Sequence, residues 1–306
     1  AMGRRYMEAM ALSSDEWVGI SFDGDYLDDG TYAHACTHSY RYTDASLGWF
    51  GDLSSGITKA NNAILTMGGP NAAPEAVAPA RVMRAYYHFV SMGAYGDVPI
   101  LDGRPSGDEA VECKPRAEVA KYIEKELLEI IPYLTEENNE QTYGKPNKWM
   151  AKALLAKLYI NCAVYTASDV TKYDAATATN EKLDDCVKVC DDIIQSGLFD
   201  LTSTQRTNPT NVYRAKFYPD NNYKVKDFIY AMPYDKVSAQ GMKYGRWRTF
   251  RKVDNGETIG YLGGKMNLSC AGIFALNEEY SNLFTLPGDD RNEIILGATT
   301  DGKVFI

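Results

Sequence analysis

Apolar side chains spaced like one face of an α-helix constrain this chain more than any other feature. Trp49, Leu53, Ile57, Ala60, Ile64 and Met67 recur at steps of 4, 4, 3, 4 and 3, which a strand cannot present on one side. Gly68-Gly69-Pro70 closes that stripe, and a Pro/Ala-rich connector is expected over Asn71–Pro79. A second stripe joins Val82, Ala85, Tyr86, Phe89 and Gly93, and a third joins Val119, Ile123, Leu127, Ile130 and Leu134. A fourth runs through Met150, Ala153, Leu154, Lys157, Leu158 and Asn161, where small and large residues alternate as in closely packed helices. A fifth joins Leu183, Cys186, Val187, Cys190, Ile193 and Ile194, with Gly197 placed to cap it. The first four helices pair into two hairpins whose starts are roughly 67 residues apart, twice the usual tetratricopeptide period. The expected fold is mainly all-α, a tetratricopeptide-like α/α superhelix of helical hairpins.

Other segments are less regular. Arg4–Leu12 reads as a short helix, Asp227–Tyr234 as a strand, and about Ala271–Phe284 as a last helix. Residues 198–268 carry no lasting helical face and read as a long loop-rich insertion. The expected organisation is one domain over 1–306, with scaffold at 49–197 and 269–286 and the insertion at 198–268.

Charge limits the partners. The net charge is −9, which argues against nucleic acid and against a polybasic membrane contact. The most apolar run, Ala153–Ala167, contains Lys157 and Asn161 and reads as a buried helix, not a membrane span. The six cysteines, Cys36, Cys113, Cys162, Cys186, Cys190 and Cys270, form no C-x-x-C pair. The sequence contains no H-E-x-x-H, G-x-S-x-G or P-loop motif, so no cofactor is expected. His34 and His38 have a metal-compatible i, i+4 spacing, but Asp28–Tyr42 shows no helical face and the pair reads as polar loop. Asp23, Asp25, Asp28 and Asp29 lack the spacing of a calcium loop and read as turn carboxylates. Glu136-Glu137 and Glu278-Glu279 are adjacent pairs expected on different sides of a helix, which does not suit glycoside hydrolysis.

The aromatic residues point to binding. The chain has 22 tyrosines, and a phenol offers a flat apolar face with one hydrogen-bonding group. Trp49 leads an apolar stripe and is expected in the core, as is Trp17. Trp247 lies in Lys243-Tyr244-Gly245-Arg246-Trp247-Arg248, with no apolar periodicity around it. It reads either as a loop anchor or as a platform for a sugar ring, with Tyr244 and Arg246 beside it. Tyr40-Arg41-Tyr42 is a second aromatic–basic cluster. Arg41, Tyr42 and Asp28 complete the candidate glycan-binding set.

Several segments together resemble the SusD/RagB family of outer-membrane nutrient-binding lipoproteins. They are Arg84-Ala85-Tyr86-Tyr87-His88-Phe89 leading into Tyr95-Gly96-Asp97-Val98-Pro99-Ile100, the helix Ala151–Tyr159, Ile194-Gln195-Ser196-Gly197-Leu198-Phe199, Asp227–Tyr234, and Asp289-Asp290-Arg291. Trp49–Leu65, with Lys59-Ala60-Asn61-Asn62, is similar to the family's first long helix. The resemblance implies a non-enzymatic cell-surface protein that captures oligosaccharides and passes them to a SusC-like TonB-dependent transporter. It also implies an outer-membrane lipid anchor through an N-terminal Cys that this sequence lacks. The chain is expected to be truncated at both ends, with the targeting signal removed and Ala1-Met2-Gly3 a remnant of cloning. Peptide capture, as in the RagB branch, a helical-repeat scaffold for proteins, and an α-helical glycosidase are the rival readings.

Overall fold

The computed structural model describes residues 5–19, 30–44, 48–103, 110–218 and 220–235, with short stretches at 237, 252–253, 257–258, 274–281, 283, 286–291, 297–298 and 304–305. It is mainly helical. Its helices are α1 (Met7–Leu12), α2 (Thr31–Cys36), α3 (Phe50–Thr66), α4 (Pro74–Tyr95), α5 (Arg116–Ile130), α6 (Lys148–Ile160), α7 (Cys162–Tyr165), α8 (Leu183–Gln195), α9 (Val212–Ala215) and α10 (Glu278–Ser281). Short strands β1 (Trp17–Gly19), β2 (Lys252–Val253), β3 (Glu257–Thr258), β4 (Phe274–Leu276), β5 (Gly297–Ala298) and β6 (Val304–Phe305) pair as β1–β4, β2–β3 and β5–β6, each antiparallel. The chain divides into two compact units, one comprising Phe50–Thr207 and Asp220–Pro233 and the other Ala1–Trp49, Asn208–Pro219 and Tyr234–Ile306.

In the Phe50–Thr207 unit the five long helices fall on the five stripes. α3 packs on α4, α4 on α5, and α6 on α8. Ala78, Val82, Ala85 and Met92 of α4 meet Val119, Ile123, Leu127 and Ile130 of α5 and Ala151, Leu154, Leu155 and Leu158 of α6 in one apolar core. At Gly56 the α3 backbone lies so close to the Tyr87 side chain of α4 that a Cβ would come within 2.7 Å of the ring. The caps are local: the Asn147 side chain accepts from the Met150 N–H at 2.9 Å to start α6, and Gly197, at φ 66°, turns the chain away after α8.

Five expectations change. α4 begins at Pro74, so six of the nine connector residues, 74–79, are helical. A proline at the first helical position gives up no hydrogen bond, and Val77 and Ala78 are buried, which holds Pro79 inside the helix. Ala153–Ala167 is not one helix but α6 and α7 with a break at Asn161, whose side chain bonds back to the Lys157 carbonyl at 2.9 Å. Asp227–Tyr234 forms no strand; the chain before it is tied to loops instead, through Lys226 Nζ to the Asn138 carbonyl and the Lys226 N–H to Ser203 Oγ, both at 2.6 Å. The region expected as a last helix contains β4 and the single turn α10. On α8 only Cys186 and Ile193 are buried, while Leu183, Val187 and Ile194 are exposed, because α8 meets α6 along one narrow side.

The motif around Arg84 is a buried polar joint. Arg84 donates to Glu126 Oε2 at 2.6 and 3.2 Å, to Asn61 Oδ1 at 3.0 Å and to the Asp102 carbonyl at 2.8 Å. Asn61 Nδ2 in turn donates to the carbonyls of Leu101 at 3.1 Å and Gly103 at 3.0 Å. His88 Nδ1–H donates to the Arg84 carbonyl at 2.8 Å, and its Nε2 accepts from the Leu101 N–H at 3.0 Å. That pair of bonds requires a neutral ring, and burial pushes its pKa down to about 4. Burial raises the Glu126 carboxyl, but hydrogen bonds and charge from Arg81 and Arg84 outweigh it and hold it below its ordinary value.

Two outcomes are expected. Arg84→Met takes a donor from the buried Asn61 Oδ1 and two from the buried Glu126 carboxylate, and should cost about 3–5 kcal/mol in urea denaturation. The unfolded His88 ring binds a proton near pH 6.5, whereas the folded ring resists it down to about 4. Its contribution to stability is therefore complete above pH 6.5 and lost as the pH falls towards 4, by about 3 kcal/mol. Melting curves across that window should show the loss, and His88→Gln should flatten it.

Candidate functional site

The Ala1–Trp49 unit presents a short loop whose shape is fixed from below. α2 anchors it: Thr31, Tyr32 and Ala35 are buried, and the Tyr32 hydroxyl donates to Glu8 Oε2 of α1 at 3.2 Å. β1 crosses α2 so closely that a Cβ on Gly19 would lie 2.9 Å from Tyr32 Cβ, so glycine is required there. Cys36 Sγ accepts from the Gly19 N–H at 3.4 Å.

After α2 the chain turns at His38, which sits at φ 53°, a conformation uncommon for a residue with a side chain. Its Nε2–H donates to the Ser13 carbonyl at 2.9 Å, and its ring stacks on Tyr40 with centroids 6.4 Å apart and planes 9° from parallel. The next turn is closed twice. The Asp44 N–H donates to the Arg41 carbonyl at 3.0 Å, and the Arg41 N–H donates to Asp44 Oδ2 at 2.7 Å. His34 Nδ1 lies 3.1 Å from Asp44 Oδ1 and 3.2 Å from Oδ2, tying the turn back to α2. Burial pushes the Asp44 carboxyl up, but the Arg41 amide and the His34 ring outweigh it and hold it below the usual carboxylate range. The clamp is therefore ionised at neutral pH. What it displays is aromatic: Tyr42 is 102% exposed and Tyr40 54% exposed.

Of the candidate residues, Arg41 and Tyr42 lie together on this turn. Asp28, Tyr244, Arg246 and Trp247 lie outside the described residues. Trp49 and Trp17 are buried, as their positions in the pattern require, and Trp49 packs edge-on against Tyr6 at 5.3 Å. His34 lies in α2, which corrects the reading of Asp28–Tyr42 as non-helical; the helix is only six residues long, too short to show a periodic face. His34 and His38 do not converge, since one bonds Asp44 and the other Ser13. Glu136 and Glu137 lie in extended chain and not on a helix; Glu136 pairs with Lys148, and Glu137 accepts from Asn139 Nδ2 at 3.1 Å. The clamp residues Asp44 and His34 were not foreseen, although an acid three residues after Arg41 is a turn signal.

A cleft of about 430 Å³ in the other unit is lined by Glu124, Tyr159, Cys162, Tyr165 and Lys182 among others. Two of its charged groups pair with each other: Lys182 donates to Glu124 at 2.8 Å and sits 5.2 Å from the Tyr159 ring centre. The turn at Arg41, by contrast, leaves aromatic faces and a cation open to solvent.

Residues 39–160 match a SusD-like family model described as starch-binding and associating with the outer membrane. No curated protein sequence matches the chain. Among solved structures, a SusD superfamily protein from Bacteroides thetaiotaomicron is 15% identical over 97% of this chain and 60% of that one, with a TM-score of 0.66. Surface glycan-binding protein A from Bacteroides thetaiotaomicron, in complex with laminarihexaose, is 16% identical over 95% of this chain and 57% of that one, with a TM-score of 0.69. A structure with xylogluco-oligosaccharide is 17% identical over 97% of this chain and 55% of that one, with a TM-score of 0.70. At these identities the likeness is one of fold, and the chain spans 55–60% of the length of these structures.

Burial separates fold from surface here. Trp49→Ala should lower stability by about 3–5 kcal/mol, and Tyr42→Ala should change it by less than about 0.5 kcal/mol. Thermal melts of the two variants beside the parent measure both.

Proposed function

We propose that this SusD-like chain is a cell-surface glycan-binding protein that captures oligosaccharides and delivers them to a SusC-like TonB-dependent transporter. It works at the outer membrane, tethered by a lipid and facing the cell exterior, and residues 1–306 act as one SusD-like domain. The observation that carries the reading is the pair of solvent-open tyrosines held on an Asp44-clamped turn. A pyranose ring presents axial C–H groups that stack on such a ring, while its hydroxyls bond to neighbouring polar side chains. A turn fixed in advance loses little conformational entropy on binding. Trp247, Tyr244, Arg246 and Asp28 are proposed as further contacts, with Trp247 the principal second platform. The protein binds and does not cleave: no recognisable catalytic motif occurs in the sequence.

A glycan array followed by calorimetric titration with the best hit tests this. Truncating a central aromatic costs roughly 2 kcal/mol, so Trp247→Ala and Tyr42→Ala should each weaken binding by about 30-fold. Reducing ends should stay constant on incubation with polysaccharides. An array without hits, together with capture of a peptide pool, would replace the glycan reading with the peptide one. A rise in reducing ends abolished by one Asp or Glu substitution would replace it with a glycosidase.

A further inference from the structure

The cation on the turn narrows the class of glycan, on the premise that the preceding reading holds. The exposed Arg41 lies between Tyr40 and Tyr42 in sequence. Its backbone N–H is held by Asp44, but among the described residues its guanidinium has no hydrogen-bond or ion-pair partner. The carboxylate nearest in sequence is already engaged. Asp44 Oδ1 faces His34 Nδ1 at 3.1 Å and Thr31 Oγ1 at 3.5 Å, and Oδ2 takes the Arg41 N–H at 2.7 Å and faces His34 Nδ1 at 3.2 Å. The guanidinium therefore has no direct partner of its own, beside an Asp44 carboxylate whose oxygens are occupied, on a chain whose net charge is −9.

We propose that this loop takes an acidic oligosaccharide, a chain of uronate sugars, with Arg41 pairing a sugar carboxylate while Tyr40 and Tyr42 stack on the rings. A neutral hydroxyl can use one ordinary hydrogen bond from a guanidinium. A carboxylate takes two parallel, charge-assisted bonds from the same planar fork, which are about twice as strong. Asp44 stands beside Arg41 and the protein is negative overall, so a uronate is held by the short-range geometry of the guanidinium fork and not by a positive field. That contact lies in water and is screened by salt, whereas stacking is not.

The probes are hexagalacturonate and its fully methyl-esterified form, which carry the same sugar with the carboxylate free or masked. Each is titrated calorimetrically at low and at high salt. The acid should bind about tenfold tighter than the ester at low salt, and high salt should shrink that gap. Arg41→Gln should abolish the gap by weakening binding of the acid more than that of the ester, and Arg41→Lys should restore part of it, since the charge returns without the fork. Equal affinity for acid and ester, or a gap that survives Arg41→Gln, overturns the uronate assignment while leaving glycan capture intact. So does binding of laminarihexaose with no binding of either galacturonate. If none of these glycans nor any on the array binds, the glycan reading itself fails and the assignment falls with it.

Discussion

The helical scaffold depends on one buried charge pair. Arg84 of α4 and Glu126 of α5 are both excluded from solvent, and an isolated charge in either place would be prohibitive. Because the pair exists, α4 and α5 cannot slide past each other without exposing a bare charge to the core. Arg84 also reaches Asn61 of α3 and the carbonyl of Asp102, so one guanidinium fixes three helices and the segment that leaves α4. Such a pair adds less net stability than apolar packing of the same volume; what it supplies is a single permitted register. The apolar core around it, from Val82 to Leu158, supplies the driving force.

The Asp44 turn follows the same rule at smaller scale. One carboxylate receives a backbone amide from its own turn and lies against a ring from α2. In both places a carboxylate ties two segments together: Glu126 joins α5 to α4, and Asp44 joins its own turn to α2. The difference is depth. Glu126 sits where an error costs folding, and Asp44 sits where it costs only the presentation of a loop.

The long helices were legible because burying one face imposes a period of 3.6 on the apolar residues, and Leu53, Ile57, Ile123, Leu127 and Leu154 obey it. Trp49 could be assigned to the interior on the same ground. The Arg84–His88 motif was visible as a string but not as a joint, because its partners Glu126 and Leu101 are distant or irregular in sequence. α2 was missed for want of length, and the Asp44 clamp because its His34 contact is made across a loop with no period. Asp227–Tyr234 misled because β-prone composition does not supply a partner strand. The surface pair Arg41 and Tyr42 was legible as an aromatic–basic cluster outside any apolar stripe, and the structure adds what holds it still.

The clamp acts on backbone and not on side chain. Asp44 grips residue 41 by its backbone amide, a group that every amino acid except proline possesses. The turn can thus be held with any side chain but that of proline at this position. Side-chain chemistry and architecture are carried by separate atoms of the same residue. A lineage built on this loop could exchange the displayed side chain by a single codon change, without passing through an unfolded intermediate.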